Sequence, residues 1–203
     1  NGPACILAAR LYQQFGDEAD KEWALDIYGW EKENLFNPAS GAVYDNINTR
    51  TGETQTAWIF TYNQGTFLGS ALELYNITGS KAYLNDAQKA ADHTLNALVN
   101  SGDRLLKDEG AGDGGLFKGV FVRYFTQLIL HPDLSDGTRN RYLQFLKFNA
   151  EKLWQEGTDK NKLLYGTYWK TKPGSTIDLS TQTSGATLIE AVALLEAEGL
   201  ITP

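Results

Sequence analysis

The sequence predicts an all-α protein of helical hairpins closed into an α/α barrel. Apolar residues recur at i, i+3, i+4, i+7 in seven segments, and no long segment shows the strict alternation of a strand. The segments also alternate in character, nearly all-apolar helices being followed by one-sided ones, as an inner ring wrapped by an outer one requires. With 203 residues the chain is long enough for one large domain or for part of a bigger one. It is read as a single domain over 1–203.

Residues 3–15 place Ala4, Leu7, Ala8, Leu11, Tyr12 and Phe15 on one stripe, with Ile6 and Ala9 also apolar, so this helix is covered on nearly all sides. Gly16-Asp17 ends it. Residues 20–34 carry Trp23, Ile27 and Trp30 among Asp20, Lys21, Glu22, Glu31, Lys32 and Glu33, which describes an outer helix with a solvated face. The same pair recurs at 64–77 and 81–99, and again at 117–130 and 138–156. A last apolar helix over 183–198 carries Leu188, Ala191, Val192 and Leu195. That makes four inner helices and three outer ones.

The inner helices start near Asn1, Thr61, Phe117 and Gln182, at spacings of 60, 56 and 65 residues, so the helical hairpin is an internal repeat. If successive inner helices are parallel, their polar starts gather on one face. Those starts are Asn1-Gly2, Tyr62-Asn63-Gln64-Gly65, Phe117-Lys118-Gly119 and Gln182-Thr183-Ser184-Gly185. A helix start offers free N–H groups and the positive end of the dipole, which suits a hydroxylated or anionic ligand. Three long loops feed the same face. The first, 36–60, holds Tyr44, Asp45, Asn46, Asn48 and Trp58; Asp45 there reads either as a sugar contact beside a stacking ring or as part of an Asp-Asn turn. The third, 158–181, holds Tyr165, Tyr168 and Trp169, as groove wall or as core.

Composition narrows the ligand. A net charge of −7 argues against nucleic acid and anionic membrane surfaces. Five Trp, ten Tyr and nine Phe beside many carboxylates and amides suit sugars, whose ring faces pack on aromatic side chains. Cys5 is the one cysteine, so neither an intrachain disulfide nor a cysteine metal cluster can form. The acidic loop Lys107 to Gly115 lacks the ligand pattern of a calcium loop, and no metal or cofactor is expected. Asn76-Ile77-Thr78 is a formal glycosylation site, but it falls where a helix stops at Gly79. No apolar run is long enough to span a bilayer, and no signal peptide opens the chain. The chain contains no Met and begins at Asn1, so residues are expected before it. His93 and His131 are isolated, and no nucleophile elbow or phosphate loop occurs. Carboxylates remain for acid and base chemistry, and glycoside hydrolysis uses two of them.

Asn1-Gly2-Pro3-Ala4, Val43-Tyr44-Asp45, Thr61-Tyr62-Asn63-Gln64-Gly65, Leu116-Phe117-Lys118-Gly119 through Tyr124, and Gln182-Thr183-Ser184, in this order and spacing, resemble glycoside hydrolase family 76, the endo-α-1,6-mannanases. The resemblance implies an α/α barrel of six hairpins, retaining hydrolysis of α-1,6-linked mannan, and a secreted, periplasmic or cell-surface location. It also implies a catalytic Asp-Asp pair one hairpin before the segment that resembles Asn1 to Ala4. No Asp-Asp occurs in the 203 residues. The chain is therefore read as the C-terminal part of an incomplete barrel, inactive alone, whose catalytic pair lies upstream and whose open edge is covered by the missing part or by another copy. Its own residues for the sugar are expected to be Asn1, Tyr44, Asp45, Trp58, Tyr62, Asn63, Gln64, Phe117, Lys118 and Gln182. The alternatives are a non-catalytic glycan-binding protein and a related barrel that transfers or hydrolyses another glycan.

Overall fold

The structure is a computed structural model and describes residues 1–201. Among them are seven α-helices: α1 (Gly2–Phe15), α2 (Glu18–Leu35), α3 (Thr61–Thr78), α4 (Lys81–Ala97), α5 (Asp113–Leu130), α6 (Asp136–Lys152) and α7 (Leu179–Ala197). A single π-helical turn, Leu153–Gly157, extends α6. Two two-residue strands, β1 (Thr158–Asp159) and β2 (Leu164–Tyr165), pair antiparallel. No helix is long and apolar enough to cross a membrane.

Local chemistry sets the boundaries. The Asp17 carboxylate accepts the Ala19 N–H at 3.0 Å and opens α2, and Asp178 does the same for α7 through the Thr181 N–H at 3.0 Å. Gly16 and Gly79 close α1 and α3 with φ of 74° and 70°, the left-handed cap that glycine adopts without strain. The inner helix α3 begins at Thr61, where the hairpin repeat puts its start, and α5 and α7 begin four and three residues before the starts expected at Phe117 and Gln182. Periodicity marks buried apolar positions, and the first turns of these helices are polar. Asp113 thus stands inside the first turn of α5, where it complements the dipole, and Gly112 precedes it.

The chain forms two compact units, Asn1–Asn96 and the part from Ala97 onward. In the first, α3 buries fourteen of its eighteen residues, whereas α1, expected to be covered on nearly all sides, buries five of fourteen and leaves Leu7 and Phe15 exposed. The first turn of α1 lies against it, with Ser70 Oγ donating to the Gly2 carbonyl at 3.0 Å. Further along, Arg10 Nε and Gln13 Nε2 donate to the buried Glu73 carboxylate at 2.6 and 2.8 Å. The two helices therefore run parallel, the start of α1 lying against the second and third turns of α3. Phe67 of α3 stacks between Tyr28 and Phe36, at 5.1 and 4.5 Å between ring centres. The Tyr28 hydroxyl donates to Asp86 of α4 at 2.9 Å, and Lys32 pairs with the same oxygen.

The second unit repeats the scheme with α5 and α7. They also run parallel and in close contact, the Gly119 N–H donating to Ser184 Oγ at 2.6 Å. On α5, Phe121 stacks on Phe125 at 4.9 Å between ring centres, and Tyr142 of α6 meets Phe125 tilted, also at 4.9 Å. Trp169 is fully buried.

Each outer helix is followed by a short antiparallel strap, pairing Phe36 with Val43, Val99 with Leu106, and Thr158 with Tyr165. Val43, Leu106 and Tyr165 are 63 and 59 residues apart, so the straps carry the same repeat as the helices.

Candidate functional site

In the first unit two of the residues that the sequence singles out, Tyr62 and Asn63, converge on the carboxylate of a third, Asp45. The Asp45 carboxylate accepts the Tyr62 hydroxyl and the Asn63 Nδ2 (3.3 Å) on one oxygen, and the Asn46 Nδ2 (2.7 Å) on the other. Its backbone N–H donates to the Trp58 carbonyl at 2.9 Å, which ties the two ends of the loop together. The turn proper lies further out, around Asn48 to Gly52, beyond a bridge between Ile47 and Thr54. Asp45 therefore stands at the root of that hairpin, between the loop and the first turn of α3. A carboxylate held by amide and hydroxyl donors is a strong acceptor for further hydroxyls.

Around it, Tyr44 is half-buried, its hydroxyl accepting Asn37 Nδ2 at 3.2 Å, and the Trp58 ring is 53% exposed. Burial, followed by the Asp45 hydrogen bond, pushes the Tyr62 hydroxyl up to about 12, so it remains a donor at neutral pH. Asn63 also accepts the Phe60 N–H at 3.3 Å. Gln64 is wholly buried, with both ends of its amide bonded to Val43. Asn1 is exposed in front of α1, and its carbonyl accepts the Cys5 N–H at 3.0 Å.

In the second unit, Lys118 and Gln182 meet on a single loop. Lys118 is 2% exposed; its ammonium donates to the Thr167 carbonyl and lies 4.7 Å above the Trp169 ring. Burial lowers its pKa to about 8 against the opposing pull of Asp108 and Glu109. Gln182 is bonded at both ends to Tyr165. Phe117, half-buried, precedes Lys118 on α5. A cavity of about 410 Å³ opens beside this loop, lined by Asp108, Tyr165, Tyr168, Asp178 and Gln182 among others. That volume lies within the roughly 300–1,000 Å³ of small-ligand sites. Asp178 is held at about 2 by the Ser180 hydroxyl and by the N–H and hydroxyl of Thr181. Of the three aromatic residues read as wall or core, Trp169 is core, and Tyr165 and Tyr168 line the cavity.

Asp108 is a residue the sequence reading passed over as a site. It is exposed, accepts the Thr167 hydroxyl at 3.1 Å, and lines the cavity. A signal existed: it stands two residues after Leu106, as Asp45 stands two after Val43. Among the described residues no cluster of three or more His, Cys, Asp or Glu side chains is placed to hold a metal ion.

The sequence model of glycosyl hydrolase family 76 matches residues 1–202. The chain belongs to glycosyl hydrolase family 76. It is 36% identical over 162 residues to the mannan endo-1,6-alpha-mannosidase DCW1 of Saccharomyces cerevisiae, an alignment that covers 74% of this chain and 34% of the yeast protein. Among solved structures it is 50% identical to the family 76 alpha-1,6-mannanase of Salegentibacter sp. HEL1_6, with a TM-score of 0.91 over 96% of this chain and 58% of that one. An inactive variant of that enzyme, with two consecutive aspartates replaced by alanine, was solved in complex with alpha-1,6-mannotetrose. A Listeria innocua protein is 37% identical, with a TM-score of 0.88, over 100% of this chain and 56% of its own. The chain thus spans about a third of the yeast protein and little more than half of the Salegentibacter and Listeria proteins. Its fold class is the all-α, α/α-barrel class that the resemblance implies.

Proposed function

We propose that residues 1–203 are the greater part of one catalytic domain of an endo-acting, retaining hydrolase of α-1,6-linked mannan, and that they bind sugar while the catalytic aspartates lie outside them. The observation that carries this reading is a match combined with a gap. The chain is 50% identical over 96% of its length to a mannanase in which variants of two consecutive aspartates are inactive, and it contains no consecutive aspartates of its own.

The geometry fits the sugar-binding part. Asp45, gripped by Tyr62, Asn63 and Asn46, is an acceptor for mannose hydroxyls, and Tyr44 and the exposed Trp58 ring stand beside it for the apolar faces of the sugar rings. Asn1, exposed in front of α1 in the first unit, and Phe117, half-buried just beyond the first turn of α5 in the second, are each assigned to sugar contact within their own unit. Gln64, Lys118 and Gln182 act through the loops they hold. A polymeric substrate stays outside the cell, so the enzyme works after export, in the periplasm, at the cell surface or beyond.

The test is to assay the full-length protein on linear α-1,6-mannan and follow the anomeric form of the first product by NMR. Release of α-anomeric oligosaccharides is expected. A β-anomer overturns retention, and binding without cleavage overturns the hydrolase. Residues 1–203 expressed alone are expected to leave the polymer intact; turnover by them places the catalytic carboxylates within the chain.

A further inference from the structure

Gln64 and Gln182 hold the same place in two helices, each being the fourth residue, of α3 from Thr61 and of α7 from Leu179. Each faces the outer edge of a strap. In the first strap the Asn37 N–H donates to the Ala42 carbonyl at 2.8 Å and the Tyr44 N–H to the Leu35 carbonyl at 2.9 Å. This pattern turns the N–H and carbonyl of Val43 away from Phe36. Gln64 meets both: the Val43 N–H donates to Oε1 at 3.1 Å, and Nε2 donates to the Val43 carbonyl at 2.8 Å. In the third strap the Gly166 N–H donates to the Gly157 carbonyl at 3.0 Å, and Tyr165 is likewise turned outward. Gln182 takes its N–H at 2.8 Å and donates to its carbonyl at 2.9 Å.

A primary amide presents a donor and an acceptor side by side, as the edge of a strand does, so one glutamine closes a strap as a third strand would. Helical side chains lean towards the N-terminus, which carries an amide at the fourth position back towards the loop before the helix. The middle strap shows what happens without it. The fourth residue of α5 is Leu116, and the Leu106 N–H is met instead by Asn149 Oδ1 of α6 at 3.1 Å.

What each glutamine holds is next to the candidate site. Two residues beyond Val43 is Asp45. The Tyr165 ring lines the cavity of the second unit and lies so close to α7 that a Cβ on Gly185 would come within 2.4 Å of it. We infer that Gln64 and Gln182 are positioning residues for polysaccharide binding: each acts as a one-residue strand that fixes the loop before it, Gln64 aiming Asp45 and Gln182 aiming the Tyr165 ring, and neither touches the sugar. The ligand in this inference rests on the mannan reading above; the fastening does not.

The experiment uses the full-length protein with Gln64→Leu, Gln64→Glu and Gln182→Leu, and reads hydrogen exchange by peptide together with KM and kcat on linear α-1,6-mannan. Expected are faster exchange confined to peptides holding Val43 to Asp45 for the Gln64 variants and Tyr165 to Gly166 for Gln182→Leu, with KM raised about tenfold and kcat changed less. Gln64→Glu is expected to recover as pH is lowered, because a protonated carboxyl again offers a donor beside an acceptor. Unchanged local exchange, or faster exchange with KM as in the wild type, overturns the inference. Should Gln64→Leu fail to fold, the other two variants decide by the same criteria. A wild-type protein inert on mannan refutes the proposed function instead, and local exchange still decides whether the glutamines fasten the loops.

Discussion

Glu31 is 4% exposed on α2, its Oε2 has no hydrogen-bond partner, and burial raises its pKa to about 7. A raised carboxyl binds its proton more tightly in the folded state, so its contribution is full below the unfolded value near 4.5 and is lost as pH rises through 7. Glu31→Gln is therefore expected to be more stable than the wild type above pH 7, by about 1–3 kcal/mol, because the amide never takes on the charge that burial penalises. The difference should vanish near pH 4.5, and thermal melts across that range check it. Asp45 calls for a different measurement. Asp45→Asn keeps the shape and removes the charge-assisted acceptor, which is worth about 1.5–3 kcal/mol, or roughly a ten- to hundredfold rise in KM on α-1,6-mannan. A KM within twofold of wild type removes Asp45 from the binding surface.

Between helices, α5 and α7 of the second unit approach closely at Gly119, where an added Cβ would lie 2.9 Å from the Ser184 Cα. Gly119→Ala should push α5 from α7 and destabilise the fold by about 1–3 kcal/mol. Gly137→Ala, on the open side of α6 with no atom within 4 Å of the new Cβ, should be neutral or slightly stabilising. Denaturant melts of the two variants compare them directly. The helices themselves were readable in the sequence because their apolar residues are periodic: Leu68, Ala71, Leu72 and Tyr75 spell out α3. The straps were not, because a two-residue pair has no period to detect. The amide contacts of Gln64 and Gln182 were hidden for the same reason. A polar residue at a helix start looks alike whether it faces a ligand or a loop, and only the position of the loop backbone separates the two. Asp45 was readable through its neighbours Tyr44 and Asn46; Asp108 needed the strap register.

On the scale of the whole molecule, exposed apolar side chains fall in rows. Leu7 and Phe15 on α1 are 60% and 73% exposed, and Trp23 and Trp30 on α2, seven residues apart, are 64% and 46% exposed. Single exposed apolar residues are ordinary, but rows at helical spacing leave apolar surface open to water along each of the two helices. Residues 1–203 on their own are expected to associate as their concentration rises, and the rest of the protein or a second copy is the expected cover. Sedimentation velocity checks this, and a single monomeric species at all concentrations contradicts it. The straps bear on something else, the way such a protein diversifies. A loop fastened at its root by a helix side chain can change length and composition at its tip without passing strain to the helices, so sugar preference and fold stability become separately heritable. Replacing residues 46–59 with the corresponding stretch of another family 76 member should then alter which oligosaccharides are released while the melting temperature stays where it was.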